Sequence, residues 1–254
     1  MLRAGDLTQL EWIDACANEL MLDGVDLSAA HFPRIDDDYL AQIKKLCVDR
    51  GLTIACVSAD EPLGGAGPRI DEWRRRLEIA QTLGAPLLRA VCAGSEASPP
   101  AAWRDLVRSL KEICAHAKRL NVTIALQPDE RSLVAAPADV KRLLKECDSA
   151  WLRLALAASH LASGGAESWE PLLGEAIIIV ADIHRLDTFG ADETIDYRRA
   201  LAALWRTRYR GFLSIEYDGE ESELPAVARA AAWLRGMLAN DELQVAALER
   251  ERRA

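Results

Sequence analysis

Residues 101–127, AAWRDLVRSLKEICAHAKRLNVTIALQ, decide how the rest of the chain is read. From Ala101 to Leu120 apolar side chains recur at helical spacing with charged ones between them, which predicts an amphipathic helix. After Asn121 the period changes. Val122 to Gln127 is a short β-branched and aliphatic run, the pattern of a buried strand. The same form of helix, short turn and strand returns in GLTIACVS (51–58), GAPLLRAV (84–91) and GFLSIEY (211–217), several times with the Gly expected where a helix closes.

Working outward, seven strands are predicted: Asp23 to Leu27, Leu52 to Ser58, Pro86 to Cys92, Val122 to Gln127, Trp151 to Ala157, Ile177 to Ala181 and Phe212 to Tyr217. Helices are predicted near Thr8 to Leu20, Asp37 to Asp49, Ile70 to Leu83, Ala101 to Leu120, Pro137 to Glu146, Asp196 to Arg208 and Glu223 to Leu238, with a further one after Asp241. Alternation of this kind makes βα units and a parallel sheet. Strands recur about every 30 residues, as such units require, and no low-complexity segment interrupts them. The fold expected is α/β, a TIM-type (β/α) barrel forming a single domain over residues 1–254, with a helical extension at about 239–254. A closed barrel of this type needs eight strands, and this chain opens directly in a helix. The first strand is therefore expected to be missing or truncated. Either the sequence starts at an internal Met, or residues near the N-terminus or a partner chain cover the gap.

Half of the 254 residues are apolar and the formal net charge is −9, which suits a packed core and gives no basic face for nucleic acid or an anionic membrane. No run approaches the length needed to span a bilayer, and MLRAGDLTQLEWID does not resemble a signal peptide. The six cysteines lie inside apolar patterns without a C-x-x-C pair, so a reducing compartment, the cytoplasm, is expected.

In barrels of this kind the chemistry sits at the carboxyl ends of strands and in the loops that follow. Glu216 ends an apolar strand, where a carboxylate must be paired or reach the barrel mouth. Arg89 interrupts the apolar LLRAV and points into the mouth as well, to hold either Glu216 in an ion pair or an anionic substrate. His160 in AASHL is balanced between lining the site and capping a loop, and His31, before Phe32 and Pro33, is a weaker candidate. EPLGGAGPR (61–69) lacks the spacing of a phosphate cradle and reads as a mouth loop.

The blocks LDGVDLSAAHFP, DRGLTIACVSAD, LGAPLLRAVCAG, NVTIALQPDE, WLRLALAASHL and YRGFLSIEYDGEE, in this order and spacing, resemble the sugar phosphate isomerase/epimerase family of xylose-isomerase-like barrels. That resemblance implies an isomerase or epimerase acting on a small polyhydroxylated carbonyl compound, with one Mn or Mg ion held by a Glu, an Asp, a His and a second Glu on successive strands. Carried over, the first Glu falls on Gln127, the Asp on Ala157 and the last Glu on Glu216. The His falls on His184, with Asp187 completing the family's pattern, or on Ile179 with Asp182. The metal site implied is degenerate, with His184 and Glu216 as remaining ligands and a divalent metal bound weakly or not at all. Glu216 is then the catalytic acid/base, and His31, Arg89, Gln127 and His160 orient a sugar-like ligand. The alternative is a non-catalytic barrel that binds a sugar or serves as partner subunit to a related barrel. A homodimer or a heteromer with such a relative is the assembly expected.

Overall fold

The structure is a computed structural model that describes residues 7–59, 62–63, 70–92, 99–163 and 168–240. The helix expected after Asp241 and most of the loop at 61–69 lie outside the described residues. The chain groups into two compact units, Met1–Ala155 and Leu156–Ala254.

The first unit alternates helix and strand: α1 Gln9–Asn18, β1 Gly24–Ser28, α2 Asp37–Asp49, β2 Thr53–Ser58, α3 Ile70–Leu83, β3 Leu87–Val91, α4 Pro99–Leu120, β4 Thr123–Gln127 and α5 Pro137–Cys147, leading into β5 Leu152–Ala157. Each of these strands pairs in parallel with the next. Local chemistry fixes the helix starts. Thr8 and Glu11 form a reciprocal capping box on α1, and Asp36 accepts the Tyr39 amide at the start of α2. Pro137 opens α5, where a missing N–H costs nothing.

The second unit continues with α6 Ala158–Ala162, β6 Ala176–Ile183, α7 Tyr197–Arg206, β7 Phe212–Tyr217 and α8 Glu223–Leu238. β6 and β7 pair in parallel from Ile178↔Phe212 to Ile183↔Tyr217. Short α6 and the 3-10 turn Glu170–Glu175 lie in a stretch where the sequence pattern suggests neither. The seven strands and the helices between them have the TIM-type α/β order expected. Among the described residues no strand precedes α1.

Six helix-to-strand turns share one device, a residue with positive φ: Met21, Gly51, Gly84, Asn121, Asp148 and Arg208. A single left-handed residue reverses the chain and lets its amides reach back to the last carbonyls of the helix, as Leu52 does to Cys47 and Ala85 to Ala80. Glycine serves twice, and four side-chain residues accept the strain of roughly 1 kcal/mol. Before β7 the left-handed residue is Arg208, so Gly211 of GFLSIEY has another reason. A Cβ there would lie 2.8 Å from the Ile177 carbonyl oxygen and closer still to the Tyr209 hydroxyl, which donates to that same oxygen at 3.2 Å.

The middle strands are buried over nearly their whole length, with Leu126, Leu154 and Ile179 at 0% exposure. Such continuous apolar runs are the mark of parallel strands covered on both faces. Polar groups therefore concentrate at the carboxyl ends. No helix among the described residues is long and apolar enough to cross a membrane.

Candidate active site

In the first unit the strand ends carry one connected polar network. Arg89 stands beside Ser58 on β2 and reaches along β4 towards the mouth, past its register partner Ala125 to Gln127. Its Nε donates to Ser58 Oγ at 2.9 Å and its Nη1 to Gln127 Oε1 at 3.0 Å. The Ser58 hydroxyl donates to Asp26 Oδ1 at 2.5 Å, and Asp26 Oδ2 lies 3.6 Å from Arg89 Nε. The Arg89 and Asp26 side chains are 16% and 11% exposed. A charge pair so enclosed needs mutual compensation, and here the hydrogen bonds of Ser58 and Gln127 complete it. Arg89 and Gln127, both expected to line the site, are thus brought together. His31 lies in the 3-10 turn Ala29–His31 that follows β1, with its Nε2 buried.

The second unit carries a denser array. Asp182 on β6 is in register with Glu216 on β7, and paired residues on neighbouring strands share a face. Two residues on, His184 and Asp218 meet in turn: the imidazole Nδ1 donates to Asp218 Oδ1 at 2.5 Å. His184 Nε2 lies 3.8 Å from Asp182 Oδ2, and Asp182 Oδ1 accepts the Ser159 amide at 3.1 Å. Ile179, the other residue the family's His could fall on, is fully buried and paired with Leu213, three residues before Glu216. That places it about 10 Å below the strand ends. His184, just past the end of β6, lies two residues beyond Asp182, the residue in register with Glu216, and on the same strand face.

Burial disfavours a charge on His184, but the hydrogen bond and charge of Asp218, with the charges of Asp182 and Asp192, outweigh it and raise the imidazole pKa. A group whose folded pKa exceeds its unfolded value stabilises the fold fully below the unfolded value, about 6.5, and loses that effect as pH rises through the folded value. Melting temperatures of a His184→Asn variant should therefore fall less than those of the natural chain between mildly acidic and mildly alkaline pH. Parallel curves would refute the ion pair.

The loop after β6 is organised by a residue the sequence reading passed over. Asp192 is 7% exposed and accepts from the amides of His184 (2.6 Å), Arg185 (2.9 Å), Thr194 (2.7 Å) and Ile195 (3.0 Å) and from the Thr194 hydroxyl (2.6 Å). Burial alone would raise its pKa. The Thr194 hydroxyl and the amides of His184, Arg185 and Thr194 reverse that and hold it below the usual carboxylate range. The loop also passes against α8. Gly190 has φ +91, and a Cβ there would lie 2.4 Å from the Arg229 carbonyl oxygen. Gly190→Ala should cost about 2 kcal/mol or more, read by urea unfolding.

His160 caps the turn after β5. Its Nδ1 accepts the Ala157 amide at 3.3 Å, and its ring stacks on Trp169 with centroids 4.3 Å apart. Ala157 itself ends β5 and offers no side-chain donor.

The donor set does not fit a tightly held hard cation. Of the four positions the resemblance implies, one holds alanine and one an amide whose oxygen already accepts from a guanidinium. Among the described residues no three His, Cys, Asp or Glu side chains are grouped to hold a metal ion. Asp26, Ser58, Asp192 and Asp218 are the polar residues that the sequence reading missed. Only the acidic residue two places after Glu216, on the same strand face, left a readable signal.

No curated protein matches the chain. Among solved structures, an L-ribulose 3-epimerase is similar with a TM-score of 0.78 at 17% identity, covering 96% of this chain and 91% of its own. D-psicose 3-epimerase from Clostridium cellulolyticum H10, solved with D-tagatose, gives 0.72 at 16% identity over 97% and 93% of the two chains. A xylose isomerase-like TIM barrel protein from Mycobacterium smegmatis in complex with magnesium gives 0.67 at 16% identity, over 96% and 91%. At such identities these likenesses speak to the fold. The family description matches residues 15–237, and by it the chain belongs to the xylose isomerase-like TIM barrels.

Proposed function

We propose that the chain is a sugar isomerase or epimerase that moves a proton next to a carbonyl group of a small polyhydroxylated substrate, with Glu216 as acid/base and His184 as its companion. The observation that carries this is the pairing of Asp182 with Glu216 across β6 and β7, with His184 held by Asp218 one step further out. A carboxylate and an imidazole, each able to hold a proton, then stand at adjoining strand ends, where barrels of this fold do their chemistry.

In the step proposed, the Glu216 carboxylate takes the proton from the carbon beside the carbonyl. The C–H electrons form the enediol double bond, the carbonyl π electrons move to oxygen, and that oxygen takes a proton from the imidazolium of His184. For the isomer, Glu216 returns its proton to the former carbonyl carbon while the hydroxyl on the original carbon gives its proton to His184. For the epimer, a proton from solvent reaches the original carbon on the opposite face, the enediol hydroxyl gives its proton back to His184, and Glu216 releases its own to solvent. Asp218 keeps the ring oriented and favours its protonated form. The step is carried by these side chains alone, since Gln127 and Ala157 supply no anionic oxygen to hold a divalent cation tightly. The names of the similar solved structures, ribulose and psicose 3-epimerases, support ketoses as the first substrates to try.

The test is exchange of solvent deuterium into carbon-bound positions of D-fructose, D-psicose and L-ribulose, followed by NMR with the chelator-treated protein. Exchange at the carbon next to the carbonyl is expected, and its absence from all ketoses and aldoses tried would refute the enzymatic reading. The loss of ligands at Gln127 and Ala157 favours a second reading, a non-catalytic barrel that binds a sugar or pairs with an active relative. Binding of a ketose without exchange would establish it. The six free, buried cysteines support a reducing compartment, the cytoplasm.

A further inference from the structure

The charges at the ends of β1 to β4 balance among themselves. Asp26 lies 3.6 Å from Arg89 Nε, and Ser58 and Gln127 complete a chain of alternating donors and acceptors from Asp26 to Gln127. A buried ion pair is weak evidence for stability, since apolar residues of similar volume serve the core as well or better. Its presence at the functional end of the strands needs another reason.

We propose that Asp26, Ser58, Arg89 and Gln127 form a metal-independent binding site for neighbouring hydroxyl groups of an uncharged polyol. It rests on the proposed function for the choice of a sugar as ligand. Three features of the network point this way. A hydroxyl is both donor and acceptor, so it can join an array in which a carboxylate and an amide oxygen accept while a guanidinium and a hydroxyl donate. A phosphate ester drawn to Arg89 would meet the Asp26 carboxylate beside it, which removes the advantage of the positive charge. A divalent cation drawn to Gln127 would meet the guanidinium that already occupies its oxygen. The side chains spring from paired parallel strands, with Ser58 opposite Arg89 and Val91 opposite Gln127, so the array is rigid before any ligand arrives.

The test is equilibrium binding to the full chain by saturation-transfer NMR and calorimetry in EDTA, with D-fructose and D-fructose 6-phosphate as probes. Fructose is expected to bind with the chelator present, and the phosphate ester at least tenfold more weakly. Ser58→Ala and Arg89→Met should each lower fructose affinity tenfold or more. Arg89→Met leaves a carboxylate unpaired, so Gln127→Ala, which removes one acceptor, is measured beside it after melting shows it folded, and a loss of several-fold is expected. Binding of fructose only after Mn is added, tighter binding of the ester, no binding of either probe, or full affinity in both Ser58→Ala and Gln127→Ala would overturn the proposal. Glu216→Gln separates the two readings. If that variant loses deuterium exchange and keeps metal-free fructose binding, both stand; if exchange is lost and binding needs Mn, only the polyol site falls.

Discussion

Deuterium exchange by a Glu216→Gln variant is expected to fall by about 10²- to 10⁴-fold, the range lost when a positioned acid/base is removed. Glutamine has the shape of glutamate and keeps one accepting oxygen, with an NH2 donor in place of the other, but it cannot act as a base. The residue is exposed, and its backbone place in β7, paired with Asp182, is unaffected by the exchange of side chains. Stability should therefore change by less than about 0.5 kcal/mol. An unaltered melting temperature makes the kinetic result interpretable: lost exchange with an intact fold assigns the proton transfer to Glu216. Undiminished exchange would move the role elsewhere, with Asp182, its neighbour across the strand pair, the next residue to replace.

Asp192→Ala should be the most damaging single substitution among the loop residues, with a loss of about 3 to 4 kcal/mol in urea unfolding. Hydrogen bonds to a charged acceptor contribute roughly 1.5 to 3 kcal/mol each, and five donors converge on this carboxylate. The whole sum is not lost, because the loop can open and let water reach its amides. Asp192→Asn retains one accepting oxygen and should lose about half as much. The sign of the pH effect follows from the lowered pKa. The carboxylate stabilises the fold fully above its unfolded value, about 3.9, and that contribution disappears as pH falls through the folded value. The acid limb of the stability curve should then be shallower in Asp192→Ala than in the natural chain. A loss below about 1 kcal/mol would mean that the loop is held by other contacts.

The alternation of helix and strand was legible because both periods are written in neighbouring residues. NVTIALQ and GLTIACVS changed period at a turn, and β4 and β2 begin within one residue of the expected places. The sequence pattern ends β6 at Ala181, since Asp182 is a poor strand former in isolation. The strand runs on to Ile183 because Glu216 and Tyr217 of β7 pair with its last two residues, a tertiary effect with no local signature. The same limit governs the site. Glu216 and Arg89 stand out as charges inside apolar runs, and His184 is one of the two positions on which the resemblance lays the family's His. Asp192 looked like one more acid in a polar loop, since its role depends on amides up to eight residues away that turn towards it only in the folded chain. Asp26 and Ser58, 32 residues apart, share a hydrogen bond that only the pairing of β1 with β2 creates.

All six cysteines are free and buried, and burial pushes the thiols of Cys16, Cys92 and Cys147 up to about 12 and those of Cys47 and Cys114 to about 11. Thiolate is the form that reacts, so the folded chain should be nearly inert to alkylating reagents at neutral pH. One cysteine introduced at an exposed position such as Phe189 would then carry a fluorophore or spin label alone, without removing any native residue of the core. A brief pulse of the same reagent during unfolding would count molecules as their cores open, which makes the native thiols a built-in clock for the kinetic lifetime of the fold.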